Sequence, residues 1–169
     1  VIAVSEQTKQ DIVRFLDVEE SRISVVYQGC HRQVYHRVSE ETLQFTKQSF
    51  ALPAEYMLYV GTIEERKNLL RIVEALHHGN IDVPLVVVGR KTAYFSQVKS
   101  FIEKNGMSNI HFLDQVQTTD LPSIYQGARG FIYPSSYEGF GIPILEALNS
   151  GIPVITSRGG CLEETAGKG

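Results

Sequence analysis

Apolar residues in this chain fall in short unbroken runs, and between the runs they recur at helical spacing. From Tyr56 onward the runs are regular: Y-M-L-Y-V at 56–60, P-L-V-V-V at 84–88, I-H-F-L at 110–113, G-F-I-Y at 130–133 and P-V-I-T at 153–156. Each has the length of a strand, and continuous apolarity predicts burial on both faces. The stretches between them predict helices over 68–78, 94–105, 119–127 and 142–150. Strands alternating with helices build a parallel sheet covered on both sides. The predicted fold is α/β, a Rossmann-like doubly wound parallel sheet whose strand order begins 3-2-1-4-5.

The start of the chain follows a different pattern. Val1–Val4 is apolar, Ser5 reads as an N-cap, and a helix is predicted to about Leu16, with Ile12, Val13 and Leu16 as its apolar face. Residues 23–27 (I-S-V-V-Y) read as a strand, Gln28-Gly29 as a turn, and 39–49 as a polar helix capped by Ser39. Pro53 ends the connection to the alternating region.

The stretch 133–151, Y-P-S-S-Y-E-G-F-G-I-P-I-L-E-A-L-N-S-G, concentrates the chemistry. A strand feeds a glycine-punctuated loop, and a helix follows with Pro143 at its start and Gly151 just past its end. Glycines at 139 and 141 let the backbone turn tightly and bring its N–H groups close to a ligand. A helix N-terminus attracts anions. Glu138 lies in the loop and Glu146 on the helix, with seven residues between them. Amides suit a phosphate, so two carboxylates beside them need another task.

Strand order decides what faces this loop. In the predicted sheet the first and fourth strands are neighbours, and ligands bind outside the carboxyl ends of the strands at that switch point. The first strand ends in Gly61-Thr-Ile-Glu-Glu-Arg66-Lys67-Asn68. Topology therefore brings Arg66 and Lys67 to the Gly139–Gly141 turn. Arg grips two phosphate oxygens at once and Lys acts as a point charge, so the pair matches a diphosphate.

Composition narrows the classes. The chain has 169 residues, enough for one domain with a core, and a net charge of −3, which gives no basic nucleic-acid surface. No apolar run approaches a membrane span, and none reads as a signal peptide. Cys30 and Cys161 read as reduced thiols of a cytoplasmic protein. The histidines at 31, 36, 77, 78 and 111 show no ligand spacing; His77-His78 reads as a helix end and His111 as a strand residue.

Y-P-S-x-Y-E-G-F-G-I-P-x-L-E-A, with Glu-x7-Glu inside it, resembles the signature of the retaining, nucleotide-sugar-dependent glycosyltransferases of group 1 (family 4), which have the two-domain B-type fold. G-T-x-E-E-R-K-N-L resembles that family's phosphate loop, although Thr62 stands where many members carry arginine. V-S-E-x-T-K-x-D-I and I-S-V-V-Y-x-G resemble the segment that leaves the acceptor domain. The resemblance implies that residues 1–30 are a remnant of the N-terminal acceptor domain and crossover segment. Residues 31–169 would be the C-terminal, donor-binding domain. C-L-E-E-T-A-G resembles the start of the next family helix, with Glu163 in place of the usual proline, so the chain reads as stopping short of the sixth strand.

The resemblance also implies roles. Arg66, Lys67 and the amides of the Gly139-Phe140-Gly141 turn would stabilise the leaving diphosphate. Glu138 would face the donor sugar, and Glu146 would accept hydrogen bonds from ribose. Gly61 and Thr62 belong to the phosphate loop. Val116, within Asp114-Gln115-Val116, stands at the family's base-holding L-G-x-V, with Asp114 in place of the usual glycine. Gly89-Arg90-Lys91 stands where relatives often carry a Gly-x-x-Gly-Trp-like nucleotide loop. Tyr133, Tyr137 and Phe140 also read as packing aromatics. No cofactor and no metal is implied: there is no Asp-x-Asp, and fixed cations fill that part.

The implied reaction transfers a sugar from a nucleoside diphosphate sugar to an acceptor hydroxyl with retention. The E-x-R-K-N form tilts the donor to GDP-mannose. The acceptor, a saccharide or lipid-linked molecule, would be held through the other domain, so this piece should bind donor without turnover. The expected location is the cytoplasm, with peripheral membrane attachment open for the full-length protein. The rival reading is a non-catalytic nucleotide-sugar-binding or interaction module. A flavodoxin-like signalling domain would want acidic residues after the first strand, where Arg66 and Lys67 stand.

Overall fold

The computed structural model describes residues 1–30 and 36–167; His31 and the boundary drawn at residue 31 lie outside them. A parallel sheet of five strands forms the centre, in the order β5-β4-β3-β6-β7. The strands are β3 (Met57–Val60), β4 (Leu85–Val88), β5 (Ile110–Leu113), β6 (Gly130–Tyr133) and β7 (Val154–Thr156). Written by position in the alternating region, that order is the predicted 3-2-1-4-5.

Side-chain alternation along the strands divides the core in two. Leu58, Val86, Val88, Phe131 and Tyr133 pack on one face, against Ile124 and Tyr125 of α5 (Leu121–Gln126) and Ile144 and Ala147 of α6 (Ile142–Asn149). Tyr59, Leu85 and Val87 pack on the other, against Leu69, Ile72, Val73 and Leu76 of α3 (Leu69–His78) and Val98 of α4 (Phe95–Lys104). Burial of each such aliphatic side chain contributes about 1.5–3 kcal/mol. All four residues of β4 are buried, whereas Ile155 of β7 is exposed. Helix α7 (Cys161–Ala166) follows β7 and packs on α6.

The first thirty residues stay outside this sheet. β1 (Ile2–Ala3) and β2 (Ser24–Val25) form a separate parallel pair, joined by α1 (Glu6–Leu16). Ser5 caps α1, accepting from the Thr8 N–H at 3.0 Å, and Ser39 caps α2 (Glu40–Ser49) by accepting from the Thr42 N–H at 3.2 Å. The predicted turn at Gln28-Gly29 is irregular chain instead. Tyr27 stacks on Phe140, with centroids 5.8 Å apart.

Candidate functional site

The loop after β3 is built around a close backbone approach. A Cβ on Gly89 would lie 1.9 Å from the Gly61 carbonyl oxygen, so only glycine lets the loops after β3 and β4 touch. The Gly61 N–H donates to the Val88 carbonyl at 2.9 Å, and the Ile63 N–H to the Arg90 carbonyl at 2.9 Å. The Thr62 carbonyl accepts from the Tyr59 hydroxyl at 3.2 Å. A single 3-10 turn over Glu65–Lys67 then ends at Asn68, whose positive φ starts α3. The sequence places residues 65–67 in the loop and the helix from 68, which agrees with α3 to within one residue.

That turn is tied to the loop after β6. The Arg66 carbonyl accepts from the Ser136 N–H at 2.8 Å and from the Ser136 hydroxyl at 3.0 Å. The Asn68 side-chain amide donates to the Pro134 carbonyl at 2.9 Å. Arg66 and Lys67 thus meet the Glu138 loop across seventy residues, as the strand order requires, but their main partner is Glu138 itself. Glu138 Oε1 receives Lys67 Nζ at 2.9 Å, Arg66 NH1 at 2.9 Å, the Tyr133 hydroxyl at 2.8 Å and the Ser135 hydroxyl at 2.8 Å. Among the described residues none of these bonds lands on Oε2. Lys67 and Glu138 are about 12% and 11% exposed, whereas Arg66 is 44% exposed and also pairs with Glu64 at 2.8 Å.

The electrostatics follow from this geometry. Burial pushes the Glu138 carboxyl up, but hydrogen bonds from Lys67, Arg66, Tyr133 and Ser135 outweigh it and hold it below the usual carboxylate range. Burial and then Glu138 push the Tyr133 hydroxyl well up, so it stays a proton donor. The cations keep donors to spare. Lys67 uses two of its three N–H groups, on Glu138 and Tyr133. Arg66 bonds through NH1 and NH2, leaving Nε–H and one NH2 proton.

Gly141 has a φ of 102°, in the left-handed region, and opens α6 without a side-chain cap. Pro143 has no N–H and the Ile144 N–H donates to the Gly141 carbonyl at 2.9 Å, so the Ile142 N–H and the helix dipole carry the anion-attracting character of this end. Pro143 is the second residue of α6, one later than predicted, and Gly151 follows its end. Phe140 is buried, so its ring packs on Tyr27 while its backbone belongs to the turn. Glu146 Oε2 accepts from the buried Tyr125 hydroxyl at 2.9 Å. Glu138 lines a cavity of about 250 Å³ between the loops after β6 and β7. On the other side of β3, Val116 lines a cavity of about 310 Å³ with Lys91 and Asp114. No group of three or more His, Cys, Asp or Glu side chains able to hold a metal occurs among the described residues.

Residues 40–169 match the family described as "Glycosyl transferases group 1". The chain belongs to this family. It is 31% identical over 172 residues to "O-antigen chain mannosyltransferase B" of Escherichia coli, an alignment covering 99% of this chain and 45% of that protein. It is 27% identical over 158 residues to "O-antigen chain mannosyltransferase RfbU" of Salmonella typhimurium, covering 93% of this chain and 41% of that one. The chain thus spans less than half the length of these relatives. Among solved structures, Anabaena Alr3699/HepE in complex with UDP-glucose aligns with a TM-score of 0.84 at 20% identity, covering 97% of this chain and 46% of that one. WaaG, a glycosyltransferase involved in lipopolysaccharide biosynthesis, aligns at 0.77 and 23% identity, covering 92% of this chain and 43% of that chain. Those likenesses show the fold.

Within this glycosyltransferase domain, several residues near Glu138 escaped the sequence reading. Ser157, Arg158, Gly159 and Gly160, after β7, form the far wall of the Glu138 cavity, and the Ser157 hydroxyl donates to the Ser135 carbonyl. The Gly-Gly pair before α7 was the available signal. Burial, then Glu164 and Glu138, pushes the Cys161 thiol up to about 11, so it stays a thiol and donates to the Glu138 carbonyl at 3.0 Å. From the first thirty residues, Ser5 donates to the Gly139 carbonyl at 2.8 Å and Tyr137 donates to Asp11 at 2.7 Å. Glu164 accepts from the Glu6 and Gln7 N–H groups at 2.8 and 3.1 Å. This segment holds the Glu138 loop from outside as well as lying off the sheet.

Proposed function

We propose that this chain is the donor-binding half of a retaining glycosyltransferase, which moves a sugar from a nucleoside diphosphate sugar to an acceptor hydroxyl. The observation that carries the reading is the Glu138 cluster. Four donors converge on Oε1, keep the carboxylate ionised and leave Oε2 for a ligand. A fixed anion suits hydroxyl binding and a sugar that gains positive character as its bond to the diphosphate breaks. The electron pair of that bond leaves with the diphosphate. The Ile142 amide at the start of α6 and the spare donors of Arg66 and Lys67 match that charge.

Glu146, anchored by Tyr125, would accept from the ribose hydroxyls. Gly61, Thr62 and the Gly139–Gly141 turn would line the diphosphate, and Val116 the base. The mannosyltransferase relatives and the E-x-R-K-N form support a mannosyl donor. The acceptor would be a saccharide or lipid-linked molecule held by chain outside these residues. Residues 1–30 read as the edge of that acceptor domain.

The test uses the full-length protein and separates the two glutamates. An interaction strengthened in the transition state changes kcat, and one made equally in both states changes binding alone. Glu138→Gln keeps shape but removes the charge, so kcat should fall at least about 100-fold with KM little changed. Glu146→Gln should raise KM for the donor and weaken free nucleoside diphosphate in parallel. If Glu138→Gln weakens free nucleotide as much as Glu146→Gln does, these roles are wrong.

A further inference from the structure

The cavity at the ends of β4 and β5 contains a feature that the fold does not need. Lys91 and Asp114 both line it, with Lys91 Nζ 2.7 Å from Asp114 Oδ1 and side chains 36% and 72% exposed. So exposed a pair contributes little to folding. Both residues sit on short loops leaving adjacent strands, since Val88 pairs with Leu113 in register. Both loops are held. Lys91 lies over the Phe95 ring at 5.3 Å, and the Ile63 carbonyl accepts from the Thr92 hydroxyl. Gln115 turns through a left-handed φ of 58°, and the Gln117 N–H donates to Asp120 at 2.8 Å. The lining is apolar at Val88, Leu113 and Val116, and polar at Arg90, Gln115 and the Lys91–Asp114 pair. A flat aromatic ring with a polar edge fits such a lining.

The strand order places this cavity opposite the Glu138 cavity, with the end of β3 between them. Gly89, in its lining, rests on Gly61, so the cavity adjoins the loop that carries Arg66 and Lys67. With a diphosphate at that loop, as proposed above, the nucleobase falls here. Resting on that reading, we infer that Asp114, with Lys91 beside it, selects guanine as the base of the donor.

The selection is a matter of donors and acceptors. Along one edge guanine presents the O6 acceptor, then the N1–H and N2 amine donors. Uracil presents acceptor, donor, acceptor. A carboxylate is acceptor-only, with about four lone-pair sites, and can take two parallel N–H groups. Lys91 occupies one site, on Oδ1, which leaves room for both guanine donors. The ammonium has N–H groups left for O6. Against uracil, O4 takes the place of O6 beside the ammonium, the carboxylate gains one donor from N3–H, and its other oxygen faces the lone pairs of O2. The family's usual glycine at this position could not make that distinction by a side chain.

Binding of GDP, IDP and UDP to the full-length protein tests this, by calorimetry on the native form and on Asp114→Ala. IDP lacks only the N2 amine. Asp114 is exposed, so the variant should fold, and an unchanged Tm checks this. The native protein should bind GDP about 10- to 100-fold more tightly than UDP, the range expected for hydrogen bonds to a charged group. IDP should fall between them. In Asp114→Ala, GDP should weaken to the level of IDP or below, and UDP should hold its native affinity. UDP binding as tightly as GDP to the native protein overturns the inference. So does a GDP-to-UDP ratio that survives Asp114→Ala. If none of the three binds the native protein, the nucleotide-site reading itself fails and takes this inference with it.

Discussion

Glu138 shows how burial and partners decide what one carboxylate can do. Its Oε1 is used up by the protein, and its ionisation is held by the protein as well. A carboxyl with a depressed folded value lends stability that is present above the unfolded value, about 4.3, and lost as pH falls through the folded one. Urea unfolding followed downward from pH 5 should therefore show an acid-side loss of stability that Glu138→Gln lacks. Equal acid limbs in the two proteins would contradict the cluster. The two cations differ in depth, and depth sets their cost. Lys67→Met removes a partner from a pair about 12% and 11% exposed, and should cost about 3 kcal/mol in urea unfolding. Arg66→Met acts at a side chain 44% exposed, and should cost about 1 kcal/mol. Equal costs would mean that burial does not govern the pair.

At the scale of elements, the strands were legible because burial on both faces leaves unbroken apolar runs, as in L-V-V-V of β4. The meeting of Arg66 and Lys67 with the loop after β6 was legible too, since it follows from β3 lying beside β6. Their convergence on a single oxygen was not, because it depends on the 3-10 turn at Glu65–Lys67 and on the Tyr133 and Ser135 hydroxyls. The Ser157–Gly160 wall and the Ser5 and Asp11 contacts to the Glu138 loop are tertiary, and polar loop residues carry no periodicity that announces them. Gly89 was visible only as a strand-end residue, yet its lost Cβ lets two loops touch. Gly89→Ala would drive a methyl into the Gly61 backbone and should cost about 3 kcal/mol or more in thermal or urea unfolding. A loss below 1 kcal/mol would mean that the loops part easily.

Across the whole molecule, five parallel strands put every proposed ligand contact at one end of one sheet. Cavities lie on either side of the end of β3, and the proposed function puts the sugar in one and the base in the other, with the diphosphate over the loop between. No helix among the described residues is long and apolar enough to cross a membrane. The first thirty residues contact the Glu138 loop through Ser5, Asp11 and Tyr27. The most direct measurement is a crystal structure of the full-length protein with a nucleoside diphosphate sugar bound. The account predicts sugar hydroxyls on Glu138 Oε2, diphosphate at the start of α6 within reach of Arg66 and Lys67, ribose on Glu146 and the base against Val116. A donor bound elsewhere, or one whose sugar lies away from Glu138, would contradict it.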